Sequence, residues 1–187
     1  MTLLTVWPDT DPGTVLVRTS DPVEIADELK QLGVRYEQWP VIPGVTKENA
    51  LEAYRDRVAR VTESEGYILV DAMEMTPSDD PEWLASAAQA RQKFLAEHTH
   101  DDDEDRFFAR GSGIFYLHVK ERVYAILCEA GDLLSVPKNT THWFDMGTRP
   151  DYVSIRFFHD DDGWVGNFTG SEIAKSFPTF DEITAAR

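Results

Sequence analysis

Apolar and polar residues follow two different periods along this chain, and the change falls near residue 94. Before it, helical and strand patterns mix. Leu3 to Trp7 and Thr14 to Arg18 read as short strands separated by Pro and Gly turns. Ser20-Asp21-Pro22 then offers a capping side chain and a proline suited to a first helical turn. Ile25, Leu29 and Leu32 recur at helical spacing after it, and Gly33 marks the stop. Val34 to Gln38 suggests a strand and Pro40 to Gly44 a loop. A helix is expected over 47–65, with Leu51, Tyr54, Val58 and Val61 on one face. A strand over 67–75 and, past the Pro77-to-Pro81 break, a helix over 81–93 complete this half.

From Phe94 onward, short runs rich in Phe, Tyr, Val and Ile alternate with Gly, Pro, Asn or Asp turns. The pattern predicts strands near 94–100, 104–110, 113–119, 122–128, 132–136, 141–146 and 151–159. Such even spacing is the signature of an antiparallel sandwich or barrel. A Gly-rich stretch from Gly163 to Gly170 and a short helix over 171–175 follow. The fold class expected is therefore mainly β with α (α+β), the helices coming mostly from the N-terminal half.

Composition adds bounds. At 187 residues the chain suits one domain, 1–187: a mixed portion over 1–93, a β-barrel core over 94–160 and a tail over 161–187. A formal charge of −16 argues against nucleic acid and against anionic membrane surfaces. Cys128 is the only cysteine, in an apolar run, and reads as a small buried hydrophobe. The N-terminus shows no signal-peptide pattern, and no apolar run approaches a membrane span. A cytoplasmic protein, monomeric by default, is the expectation.

The segment Glu97-His98-Thr99-His100-Asp101-Asp102-Asp103-Glu104-Asp105-Arg106 carries the chemistry. Alternate residues of a strand face one side, so His98 and His100 would project together. Three aspartates invite a turn that returns Glu104 to the same cavity, and His142 follows the Gly131-to-Pro137 strand. Imidazole nitrogens with one carboxylate suit iron, nickel, cobalt, manganese or zinc. Isolated, each feature has a plainer meaning: a His-x-His pair is often two satisfied histidines, and an acidic run is often a solvated loop. Their joint spacing favours one divalent ion. Arg106, two residues past Glu104, would share its face and attract an anionic guest. A salt bridge to a surface Asp is its alternative use. His118 and His159 lie outside the pattern and are not expected as ligands.

His98-x-His100, Glu104 and Gly111, followed by Gly131, Pro137 and His142, are similar to the two signatures of the cupin superfamily. Gln92, Asn139 and Met146 depart from it at turn and framing positions. More narrowly, Phe94 to His100, Arg106-Phe107-Phe108, Gly113 to His118 and His142 to Gly147 resemble the acireductone dioxygenase family. So do Ile155-Arg156-Phe157-Phe158, Gly163-Trp164-Val165, Phe168-Thr169-Gly170 and Phe177-Pro178. Asp105 stands where that family usually places an apolar residue, and alternation should turn it away from the metal.

The resemblance implies one Fe²⁺ or Ni²⁺ per monomer, held by His98, His100, Glu104 and His142. Four ligands on an octahedral ion leave two adjacent positions for a chelating enediolate. The substrates implied are the acireductone 1,2-dihydroxy-3-keto-5-methylthiopentene and dioxygen, in methionine salvage. The iron form would yield formate and 4-methylthio-2-oxobutanoate; the nickel form would yield formate, carbon monoxide and 3-methylthiopropionate. Arg106 would favour the substrate dianion, Glu97 would assist metal incorporation and Asp103 would relay conformational change. Phe94, Phe107, Phe144 and Trp164 are the candidate walls for the methylthio tail. Two other readings stay open: a different cupin oxygenase or isomerase on a small substrate, and a non-enzymatic metal- or ligand-binding cupin.

Overall fold

The structure is a computed structural model and describes residues 1–160 and 164–187. Asp161, Asp162 and Gly163, at the start of the expected Gly-rich stretch, lie outside the described residues. In chain order the elements are β1 (Leu3–Pro8), β2 (Val17–Thr19), α1 (Pro22–Lys30), β3 (Arg35–Gln38), α2 (Ala50–Ala53) and α3 (Arg55–Glu65). Then come β4 (Leu69–Met75), α4 (Pro81–Leu95), β5 (His98–Thr99), β6 (Glu104–Val119), β7 (Arg122–Glu129) and β8 (Asp132–Val136). The chain ends with β9 (His142–Asp145), β10 (Tyr152–Phe158), β11 (Asn167–Phe168), a 3₁₀ turn (Ile173–Ser176) and α5 (Phe180–Ala185).

All the strand pairings are antiparallel, as expected for a cupin-type β architecture. One ladder runs β11-β5-β9-β6-β7-β1-β2, and a second runs β4-β10-β6-β8-β3. Among the described residues these ladders do not close into a ring. They share β6, which the pattern divides into strands over 104–110 and 113–119. One 16-residue strand is observed instead, bent at Gly111. Its first half pairs with β8 and β10, its second with β7 and β9. Gly111 has φ +70°, and a Cβ there would meet Asp151 O at 1.8 Å, so only glycine lets the strand pass from one ladder to the other.

Alternation along β6 sorts its side chains into layers. Phe108, Phe115 and Leu117 enter the core with Leu4, Ile126 and Phe144. Phe107 packs on the opposite face with Trp39, Tyr54 and Ile155, while Ile114 and Tyr116 join Trp7, Trp143 and Phe177.

The helices obey their caps. Asp21 accepts Val23 N at 2.8 Å and Asp80 accepts Glu82 N at 2.7 Å, each followed by proline in the first turn. α4 continues to Leu95, so Phe94 lies in a helical last turn rather than in the expected strand over 94–100. The expected helix over 47–65 is broken at Tyr54, whose ring meets Phe107 edge-on at 4.6 Å and whose hydroxyl accepts Ile42 N. The second strand starts at Val17 rather than Thr14, because Asp11 draws Gly13 N and the Thr14 hydroxyl into a turn. The strand expected over 67–75 begins at Leu69, and the helix expected over 171–175 is the 3₁₀ turn. No helix among the described residues is long and apolar enough to cross a membrane. Cys128 is buried.

Candidate metal centre

The cluster draws on strands of both ladders. His98 on β5 lies in register with His142 on β9, and Glu104 opens β6 beside them. The turn over 101–103 brings His100 and Glu104 together. Its acidic side chains are tied to the rest of the fold: Asp101 accepts Asn167 Nδ2, Asp102 accepts His159 N, and Asp103 accepts Lys138 N. One ligand atom from each of His98, His100, Glu104 and His142 lies within 4.8 Å of all the others, and all four residues are buried.

The protons of the three imidazoles can be placed from their neighbours. Nδ1 of His98 donates to Ala96 O at 2.6 Å, that of His100 to Val165 O at 2.8 Å and that of His142 to Thr140 O at 2.7 Å. A carbonyl oxygen only accepts, so Nδ1 carries hydrogen in each ring and the Nε2 lone pair is left to face the cluster. Glu104 Oε2 sits 3.1 Å from Nε2 of both His100 and His142. Lone pairs opposed at that distance repel unless a cation lies between them. Nitrogen and oxygen donors of this kind, with their tautomers fixed by backbone carbonyls, fit a divalent transition metal.

The field of the cluster agrees at His98 and Glu104, while at His100 the Glu104 carboxylate favours a proton on Nε2, the position a metal ion would take. Burial, and then His142, push the His98 imidazole down to about 4, which keeps it neutral and free to ligate. Burial opposes ionisation of Glu104, yet Arg106, His100 and His142 hold its carboxyl well below the usual range. For His100 burial works downward, and the Glu104 hydrogen bond and charge outweigh it to raise the imidazole. Arg106 Nη2 donates to Glu104 Oε1 at 2.9 Å. The Arg106 guanidinium carbon lies 4.6 Å from the Phe144 ring centroid and 5.3 Å from that of Trp164.

A cavity of about 410 Å³ opens on His98, His100, Glu104 and Arg106. Phe94, Phe144 and Trp164, three of the candidate wall residues, line it. Phe107 does not: it is fully buried on the other face of β6, stacked on Trp39 at 4.3 Å, because alternation from Glu104 and Arg106 turns it outward. Asp105 also faces away, paired with Arg35 Nη2 at 2.7 Å. Glu97 and Asp103 stand outside the ligand set. Glu97 is buried and accepts from the Thr169 hydroxyl at 2.7 Å, with His118 Nδ1 2.8 Å away. The Asp103 carbonyl accepts Trp164 Nε1 at 3.0 Å. His118 and His159 meet carboxylates elsewhere. Lys93, Asp71, Arg156 and Phe158 also line the wall, together with Leu69, Gly166 and Phe168, and none of these is among the expected site residues. For Arg156 and Phe158 a signal existed: alternation in Ile155-Arg156-Phe157-Phe158 puts both on one face of β10.

Fold and site together define a cupin-type metalloprotein with three histidines and one glutamate as ligands. The ARD/ARD′ family model matches residues 8–166. The acireductone dioxygenase of Saccharopolyspora erythraea is 66% identical, with all of both chains covered. That of Frankia alni is 54% identical over 98% of this chain and 91% of its own. A solved structure, the acireductone dioxygenase from Bacillus anthracis with a cadmium ion in its active centre, has a TM-score of 0.75 and 28% identity, covering 90% of this chain and 98% of that one. The chain belongs to the ARD/ARD′ family, and it is a dioxygenase enzyme.

Proposed function

We propose that the protein cleaves the acireductone 1,2-dihydroxy-3-keto-5-methylthiopentene with dioxygen, as a cytoplasmic monomer working in methionine salvage. His98, His100, Glu104 and His142 hold one Fe²⁺ or Ni²⁺. With iron the products are formate and 4-methylthio-2-oxobutanoate; with nickel they are formate, carbon monoxide and 3-methylthiopropionate. The observation that carries this reading is the convergence of three Nε2 lone pairs and one ionised carboxylate, with a fixed guanidinium beside them.

The bound metal supplies a Lewis acid and a template for two substrate oxygens. The chain's own groups do the rest. The carbonyls of Ala96, Thr140 and Val165 hold the three rings by their Nδ1 hydrogens, so each Nε2 is already aimed at the cluster. Arg106 places a permanent positive charge where the substrate loses protons, which favours its anionic form. Phe94, Phe144 and Trp164 give the methylthio tail an apolar wall and limit water at the reacting carbons. Glu97 ties the segment that includes Phe168 and Thr169 back to β5, a contact suited to a part in metal incorporation. Asp103 joins Lys138 to the Trp164 indole, a contact suited to relaying movement between them.

The test is oxygen uptake and product analysis with synthetic acireductone on protein loaded separately with iron and with nickel. Turnover by both forms, with carbon monoxide released by the nickel form alone, is expected. Inactivity of both loaded forms overturns the reading.

A further inference from the structure

Arg156 is one of three charged residues of the cavity wall, with Asp71 and Lys93, that stand beside the metal cluster and Arg106 without belonging to them. It stands on β10 directly opposite Arg106 on β6, and Asp71 on β4 is its register partner on the other side. Like charges directly opposite each other across an antiparallel pair are destabilising. Asp71 accepts from Arg156 Nε and Nη2 at 2.8 and 2.6 Å, a fork that leaves Nη1 outside the pair. Both partners are partly exposed, and ion pairs so placed contribute little net stability. The pair with Asp71 therefore does not account for a second guanidinium beside Arg106. What the fork does is fix an orientation, and Trp164 helps: its ring centroid lies 5.3 Å from the Arg106 guanidinium carbon and 5.8 Å from that of Arg156.

Two preorganised guanidiniums and a divalent ion around one cavity suit an anion with several oxygens in a row. The acireductone carries oxygen on three adjacent carbons. Chelation of the ion would use two of them, and the charge of the dianion spreads over the third as well. We infer that Arg156 is a specificity-determining residue that binds this third oxygen, so that the cavity selects three-oxygen over two-oxygen chelating anions. The inference rests on the acireductone reading above.

Catechol, with two adjacent oxygens, and pyrogallol, with three, separate the two ideas. Each is titrated calorimetrically, without oxygen, into the nickel-loaded full chain. Wild-type protein should prefer pyrogallol, and Arg156→Gln should lower the pyrogallol-to-catechol affinity ratio about tenfold while catechol binding alone changes by less than about twofold. Arg156→Lys should restore part of the ratio, because charge returns without the fork. Asp71→Asn keeps the guanidinium but releases its orientation, and should lower the ratio about threefold even if Arg156→Gln folds poorly. Equal ratios in wild type and variants overturn this inference alone. Failure of both probes to bind the nickel-loaded wild type overturns it together with the acireductone reading.

Discussion

Glu104 and Asp105 are neighbours on β6, both buried and each paired with an arginine, yet their carboxyls are displaced in opposite directions. Glu104 faces the cavity and is held well below the usual carboxylate range. Asp105 faces the outer layer and is raised, chiefly by burial. The cause lies in what is buried with each. Glu104 has Arg106, itself buried, and two imidazoles. Asp105 has Arg35, which is 30% exposed and shared with Glu65 and Glu37. Asp132 extends the contrast: it accepts from Thr2, Tyr36, Gln38 and Glu129 N, all neutral donors, and is still raised by burial. Hydrogen bonds from neutral donors do not offset the upward push of burial at Asp132. Cations enclosed alongside Glu104 do offset it, and the cavity face of β6 is where they are enclosed.

The largest effect should follow from removing the ionised carboxylate on the cavity side. Glu104→Gln keeps shape but gives up charge, leaving Arg106 buried without its partner. Metal affinity should fall by about a hundredfold or more, and turnover with it. Metal content after dialysis against a weak chelator measures this; retention of one ion per chain would contradict it. Arg106→Ala should act differently. The four ligands remain, so metal is kept, while loss of the fixed charge should slow turnover by about a hundredfold. Steady-state rates on metal-matched samples are the check, and a rate within twofold of wild type would remove Arg106 from the chemistry.

Much of this contrast was readable in the sequence. His98, His100 and Glu104 are close in the chain, and strand alternation brings them together while turning Asp105 away. The same alternation excludes Phe107 from the cavity, yet an aromatic beside Arg106 still read as a wall. Gly111-Ser112-Gly113 resembled a turn because local composition cannot show that Asp151 O crowds the strand there. The cavity roles of Lys93, Asp71 and Arg156 depend on strand register and on where α4 ends, which spacing along one segment does not report. α5 lies outside the expected elements, although the Thr179-x-x-Glu182 capping box that opens it stands in the chain.

A smaller effect tests the rule at Asp132, which is not among the metal ligands. Its carboxyl is raised in the folded state, so its stabilising contribution is full below the unfolded value near 3.8 and is lost as pH rises through the folded value. Asp132→Asn titrates at neither pH. The variant should be less stable than wild type at pH 4, because its amide meets the Tyr36 and Gln38 donors less well. That deficit should shrink as pH rises to 7. Thermal unfolding across this range reads the trend, and a deficit that grows with pH would show that enclosed neutral donors do keep the carboxylate charged.

The smallest effect should come from the outer face. Asp105→Val removes a carboxylate that burial already disfavours, and β6 accepts a β-branched side chain readily. Arg35 is not stranded, since Glu65 remains 3.2 Å away and solvent reaches it. Replacing a buried ion pair by apolar packing is often neutral or stabilising, so stability at pH 7 should rise by about 1 kcal/mol. Metal content and turnover should stay within about twofold of wild type, because Glu104 takes its charge balance from Arg106 and the histidines on the opposite face. Denaturant unfolding and metal analysis on the same preparation decide the point. A large loss of metal with the fold intact would mean that Asp105 and Arg35 hold the first half of β6 in register, and that the two faces of the strand act as one unit.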